Sequence, residues 1–429
     1  MTLDQLIEPD HPARAVWRFV ERLDLRMVYD RIRAREGTPG RPPIDPRILV
    51  AVWLYAYLCG FPSARELAVL CQEYHPFRWL AGGVRVNHHT LSDFLVGHLD
   101  FLEQLFKHSV DVLRREGWVD LERVAQDGMR VRASAGAASF RRRATLEHQL
   151  QEAEHAVQRL RQQWAEADAH EASEGTQKEA LPAENGDTAS DPKKPSAQQR
   201  AAKQRAAAAR RDRAQQALER MPAREAKKKP AEKEHARVST TDPDATIMKM
   251  GDGGYRPAYN IQYSTTCTHQ IIVGVEVVTA GSDQGQLPPM VDQIEGRFEE
   301  RPKEVLVDGG FANHEDIKTV QTGAGGTGGC KVYAPVPKPK KKEVDRHAPH
   351  PGDSAEVAEW RQRMATDEAK AIYKQRAATA ECVNAQARNR GLVRLLVRGV
   401  QKVKAIALWF ATVHNMARGF ALLPRPALN

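Results

Sequence analysis

The sequence predicts an α/β chain in which an all-helical domain precedes a mixed-sheet domain, itself interrupted by a coiled-coil insertion. Three observations carry this. Residues 1–117 place apolar side chains at helical spacing between recognisable helix starts. From Trp118, and again from Tyr255, short runs rich in Val, Ile and Tyr read as strands. Between them, residues 144–236 have a composition of their own, rich in Ala, Gln, Arg and Glu.

In the helical domain, Asp45 followed by Pro46 reads as a cap and first-turn proline for a helix through Ala51 to Leu58. Ser63 with Glu66 makes a capping box for the next, and Thr90 is placed to cap a helix carrying Leu91, Phe94 and Leu95. Such a cluster of short helices can hold a helix-turn-helix that reads a DNA groove, and it can equally be a plain bundle.

At Trp118 the texture changes: Val119, Leu121, Val124 and Ala125 lead into Gln126-Asp127-Gly128, a strand with an acid at its end or edge. Leu146, Leu150, Ala153, Val157, Leu160 and Trp164 then recur at alternating steps of four and three, the seam of one long coiled-coil helix. Residues 168–196 lose that period and read as a solvated linker, and a second helix from Pro195 to about Met221 folds back. A solvated hairpin is favoured over a dedicated DNA arm for this insertion. Strands are expected at Arg256 to Tyr263, Gln270 to Val278, Val305 to Val307 and Lys331 to Ala334. A helix is expected over Leu287 to Phe298, a basic loop over Pro335 to Pro351, and closing helices over Asp367 to Arg388 and Val403 to Met416.

With 429 residues and 41% hydrophobic content, the chain can build a substantial core. Its formal net charge of +9 favours a polyanionic partner. Five scattered cysteines form no CxxC pair, which fits a reducing compartment and argues against zinc. The N-terminus shows neither a signal peptide nor an anchor, so a cytoplasmic protein is expected.

Asp127 and Asp308 both follow apolar strand-like runs and precede glycines. Carboxylates from neighbouring strands can meet in a cleft and hold a hard cation such as magnesium. Two such ions would activate a water or a 3′-hydroxyl for in-line displacement at phosphorus. An Asp-Gly after a strand is also a common turn, and Asp367, Glu368 and Glu381 are all available on the late helix as a third acid.

The ordered stretches decide further. Gln126 to Ala133, Val307 to Phe311, and Tyr373-Lys374-Gln375-Arg376 followed by Glu381 and Arg388 resemble the DDE transposases of bacterial insertion sequences, in the branch with a Tyr, Arg, Glu, Lys signature. Thr241 to Ala245, Tyr259 to Gln262, Arg41-Pro42-Pro43, Ser63 to Leu67 and His89 to Phe94 are similar to that branch as well. The resemblance implies an RNase H-like catalytic domain over 118–429, interrupted at 144–236, and a DNA-binding helical domain over 1–117. It implies Asp127, Asp308 and Glu381 as catalytic acids and ligands of two Mg2+ ions, with Mn2+ as a substitute. It also implies Tyr373, Arg376 and Arg388 as contacts to double-stranded DNA, and a homodimer that pairs two element ends. Arg388 stands where the family commonly has lysine, and four residues separate Arg376 from Glu381 where many relatives have three. A catalytically inactive DNA-binding descendant is the alternative. A coiled-coil scaffold leaves the two Asp-Gly pairs unexplained.

Overall fold

A computed structural model of the chain describes residues 2–32, 43–175, 196–323, 329–339 and 344–423. Arg41 and Pro42 of the N-terminal motif, residues 176–195 of the expected linker, with Pro195 at the expected start of the second helix, and residues 340–343 of the basic loop lie outside the described residues. The chain forms two compact units, Met1–Ser134 with Thr246–Asn429, and Ala135–Ala245.

Among the described residues the first unit opens with the α-helices α1 (Pro12–Glu21), α2 (Arg26–Tyr29), α3 (Pro46–Cys59), α4 (Ala64–Glu73), α5 (His75–Leu80), α6 (His88–Gly97) and α7 (Leu99–Arg115). Asp45 caps α3 by accepting from the Arg47 amide at 2.8 Å, and Ser63 caps α4 through the Glu66 amide. The cap of α6 is Asn87, whose side chain accepts from the His89 amide at 2.9 Å, not Thr90. An Asx cap three residues upstream lengthens the helix by a turn and leaves Thr90 inside it.

The sheet follows, built from β1 (Arg123–Arg132) in this unit, then, beyond a two-stranded pair β2 (Phe140–Arg141) and β3 (Val238–Ser239) in the other unit, from β4 (Thr246–Lys249), β5 (Tyr255–Thr266), β6 (Ile272–Val278), β7 (Glu304–Leu306) and β8 (Lys331–Tyr333). β5 pairs antiparallel with β1 along one edge, and with β4 and β6 along the other. β7 and β8 continue beyond β1 in parallel. The sheet therefore runs β5-β1-β7-β8 with β4 and β6 both paired to the outer edge of β5, antiparallel on one side of β1 and parallel on the other, an order compatible with an RNase H-like domain.

The second unit is a helical hairpin of α8 (Arg143–Gly175) and α9 (Ala197–Glu225). The residues expected to be linker from 168 onward are helical as far as Gly175, because helix-forming Ala and Glu continue there after the apolar period has stopped. Leu146, Ala217, Met221, Ala236 and Val238 form its core, and Arg143 grips Glu225 with two bonds of 2.8 and 2.7 Å. Ala153 and Val157 of the apolar seam are buried.

The first unit closes with α10 (Leu287–Phe298), α11 (His314–Thr322), α12 (Ala355–Arg363), α13 (Asp367–Arg376), α14 (Cys382–Asn389) and α15 (Val400–Leu422). Apolar on nearly all sides, α15 is buried along most of its length, as such a composition requires. The Trp409 indole donates to the Leu95 carbonyl on α6, and the Asn415 amide makes both bonds of a strand partner to Ile272 on β6. One core thus joins the N-terminal helices to the sheet. No single helix among the described residues is long and apolar enough to cross a membrane, and all five cysteines are free.

Candidate active site

Asp127 stands in the middle of β1, not at the strand's end, and Gly128 continues the strand instead of turning it. Side chains alternate across a sheet, so Asp127 shares a face with its register partner Tyr263, whose hydroxyl donates to the Ala407 carbonyl on α15. Gln126 and Gly128 face the other way, toward the side covered by α10.

β7 pairs with β1 as far as Leu306 beside Ala125. Asp308 follows two residues beyond the end of β7, and its carboxylate lies near enough to Asp127 to raise that carboxyl. The expected turn does occur at Asp308: the Gly310 amide donates to its Oδ1 at 2.7 Å. A Cβ at Gly310 would crowd that oxygen at 2.9 Å, which explains the glycine.

On the same face as Asp127 lies the broken helix that carries Glu381, the acid expected to be the third. The expected single helix from Asp367 to Arg388 is two helices, α13 and α14, joined by a π turn over Ala377–Glu381. In an unbroken α-helix, residues five apart point about 140° away from one another. A π turn absorbs the extra residue and restores the alignment. The residue in excess between Arg376 and Glu381 is taken up in this way, and the two side chains meet with Nη2 of Arg376 2.8 Å from Oε1 of Glu381.

Nη1 of the same guanidinium lies 3.7 Å from Oδ2 of Asp127, so Arg376 bridges Asp127 and Glu381. Burial opposes its charge, and Tyr373, Asp127, Glu381 and Asp308 together outweigh that and hold it protonated. Burial likewise pushes the Tyr373 phenol up, against the pull of Arg376, with Asp308 and Asp127 adding to the rise; the ring is therefore part of this cleft. Burial pushes the Asp127 carboxyl up to about 6. Arg376 opposes the rise, the Asp308 carboxylate adds to it, the Gly128 amide lowers it again, and Asp283 contributes a further small increase.

The structure thus brings Asp127, Asp308, Tyr373 and Arg376 together. Glu381 is more than half exposed and turned to Arg376, and Arg388 is exposed on the last turn of α14. Among the described residues, no three His, Cys, Asp or Glu side chains are gathered closely enough to hold a metal ion. The donor set is nonetheless that of a hard cation, all carboxylate oxygen, and the raised Asp127 marks negative charge that its neighbours leave under-compensated. Asp127 and Asp308, whose charges act on one another, are the acids that would hold such an ion, and Glu381 would join them only on leaving Arg376.

Two residues were missed. Asn384, buried on α14, donates its Nδ2 to Oδ2 of Asp127 at 3.0 Å. Its position three residues after Glu381, on the same helical face, was a usable signal. Asp283, from the turn between β6 and α10, accepts from Asn260 Nδ2 and Gln262 Nε2, each at 2.7 Å. Asn260 and Gln262 lie in a stretch that the sequence had marked, Tyr259 to Gln262; Asp283 itself stands in a polar turn with no distinguishing neighbour.

A family model described as Transposase domain (DUF772) matches residues 1–96, and one described as Transposase DDE domain matches residues 329–420. The second takes in Tyr373, Arg376, Glu381 and Arg388, while Asp127 and Asp308 lie between the two matches. Curated proteins and solved structures give no match. Transposase family models thus match both ends of the chain, and together they support a DDE transposase of an insertion sequence.

Proposed function

We propose that this transposase cleaves DNA at the ends of its element and joins the 3′ ends to target DNA, with Asp127, Asp308 and Glu381 as the catalytic acids of an RNase H-like domain. The observation that carries this is the meeting of Asp127 with Asp308 and Arg376 in one charged cluster, with the Asp127 carboxyl pushed up to about 6 by burial. Two Mg2+ ions, or Mn2+ in their place, would be held by these three carboxylates and would supply Lewis acidity at the attacking and leaving oxygens.

The chain's own groups do the positioning. Asn384 fixes the rotamer of Asp127 through Oδ2, while the Gly128 amide holds Oδ1. Arg376 balances Asp127 and Glu381, and its planar fork would be free to grip a DNA phosphate once those carboxylates held a cation. Tyr373 beside it and Arg388 on the exposed end of α14 extend the same contact along the backbone. The helical domain over 1–117 supplies further DNA binding, the α8–α9 hairpin serves as a coiled-coil arm, and a homodimer in the cytoplasm pairs two ends.

Cleavage of an end-labelled duplex that carries the DNA flanking the reading frame, with Mg2+, tests this. Wild type is expected to nick the duplex. Asp308→Ala should bind it equally and cut more than about 100-fold more slowly. Equal binding with no cutting by either protein would leave a DNA-binding protein and no enzyme.

A further inference from the structure

The cleft has a second wall. Asp283 comes to it from the face of the sheet opposite Asp127, in the turn between β6 and α10, and only 9% of the residue is exposed. Its Oδ1 is fully used by the Asn260 and Gln262 amides. Its Oδ2 lies 3.6 Å from where a Cβ on Gly310 would stand, on the Asp308 side, with the nearest cation, Nη2 of Arg130, loosely placed at 3.9 Å. The turn itself is fixed: Arg130 donates to the Gly281 carbonyl, Gln126 to the Gln286 carbonyl, and the Gly285 amide to Asp316.

Gly128 explains how carboxylates from both faces reach one cleft. A Cβ there would stand 2.3 Å from Oδ1 of Asp283, 2.4 Å from Nε2 of Gln262 and 2.7 Å from Oδ1 of Asn260. The bare backbone is a notch through which the Asp283 carboxylate approaches β1. Oδ1 of Asn260 faces the same notch and is buried without a hydrogen-bond donor among the described residues. A buried acceptor left without a donor beside a carboxylate is a position for a donor from outside the chain.

We propose that Asp283 is a fourth carboxylate of this cleft, a positioning residue whose Oδ2 accepts a hydrogen bond from water on a divalent cation bound by Asp127 and Asp308, with Gly128 as the notch that admits it. This rests on the proposed metal-dependent chemistry and deepens it. Asp283 holds the hydrated ion in place from outside its ligand set, as groups beyond the direct ligands do at other metal sites.

Mn2+ binding to the full chain without DNA, read from the free-ion electron spin resonance signal, tests this alongside cleavage. Asp283→Asn keeps an oxygen for both amide donors and loses the charge. It is expected to bind Mn2+ about 10-fold more weakly. Cleavage should then fall at low Mn2+ and return to the wild-type rate at saturation, a split that damage to the fold would not produce. Gly128→Ala, which displaces Asp283 without touching its charge, should show the same split. Wild-type Mn2+ affinity in Asp283→Asn, with affinity lost in Asp127→Asn and Asp308→Asn, overturns the role of Asp283 alone. Wild-type affinity in all three variants overturns the triad as well.

Discussion

Removing the charge of Asp127 should make the cation-free protein more stable while ending its activity. The carboxyl is raised from 3.8 to about 6, burial being the largest cause. Its ionised form is therefore about 3 kcal/mol less favourable in the folded chain than in the unfolded one. The sign follows from the raised value: stability is complete below pH 4, falls as the pH rises through about 6, and stays reduced above it. Asn at this position has no such penalty and still offers an oxygen to Asn384. In the presence of a chelator at pH 8, Asp127→Asn is expected to exceed wild type by about 1–3 kcal/mol. That corresponds to roughly 2–6 °C in Tm for a unit of this size. At pH 4 the two proteins should melt together. Mn2+ at about 100 times its Kd should stabilise wild type by about 2.7 kcal/mol and close the gap, with little effect on the variant. Thermal melts across pH 4–8, with and without Mn2+, read all of this. A wild type as stable as the variant at pH 8 without metal would refute the assignment of Asp127 as an under-compensated buried charge.

Three further outcomes follow from the geometry. Deleting Ala378 converts the π turn into ordinary α-helix and leaves the helices on either side in phase, so stability should change by less than about 1 kcal/mol and cleavage should survive; inserting a residue there instead should abolish cleavage. Arg388→Ala, at an exposed position, should leave the melting temperature unchanged, weaken DNA binding across sequences and reduce the salt slope of binding by about 1. Gly274→Ala places a Cβ 2.4 Å from Sδ of Met290 and 3.0 Å from Cβ of Ser264, and denaturant unfolding should show a loss of about 1–3 kcal/mol.

The sequence exposed the helices and strands well because each has an unambiguous local signal. Asp45-Pro46 caps α3, Leu287–Phe298 is helical within the bounds expected, and the runs at Tyr255 and Gln270 pair as neighbours. It misplaced what local signals do not encode. Thr90 lost its capping role to Asn87 because both residues satisfy the same preference, and only the packed chain chooses between them. The break between α13 and α14 left its trace as one residue too many before Glu381, without revealing that a π turn would absorb it. Asn384 was missed because its partner lies 257 positions away at Asp127, and Asp283 because it stands in a polar turn with no distinguishing neighbour.

Gly128 shows why a motif can be right for the wrong physical reason. An Asp-Gly pair after apolar residues suggests a strand that ends in a turn, and at Asp308 that is what forms. At Asp127 the strand runs on to Arg132, and the glycine's φ lies outside the left-handed region that would require one. What demands glycine there is space: three polar side chains already occupy the position of its Cβ. The same two letters therefore mark opposite sides of one cleft by different constraints, a turn that presents Asp308 and a notch behind Asp127. Substitution separates them: a Cβ at Gly309, the glycine of the second pair, meets open space and only Gly310→Ala crowds the Asp308 carboxylate, whereas Gly128→Ala leaves Asp127 on its strand and dislodges the buried polar cluster behind it.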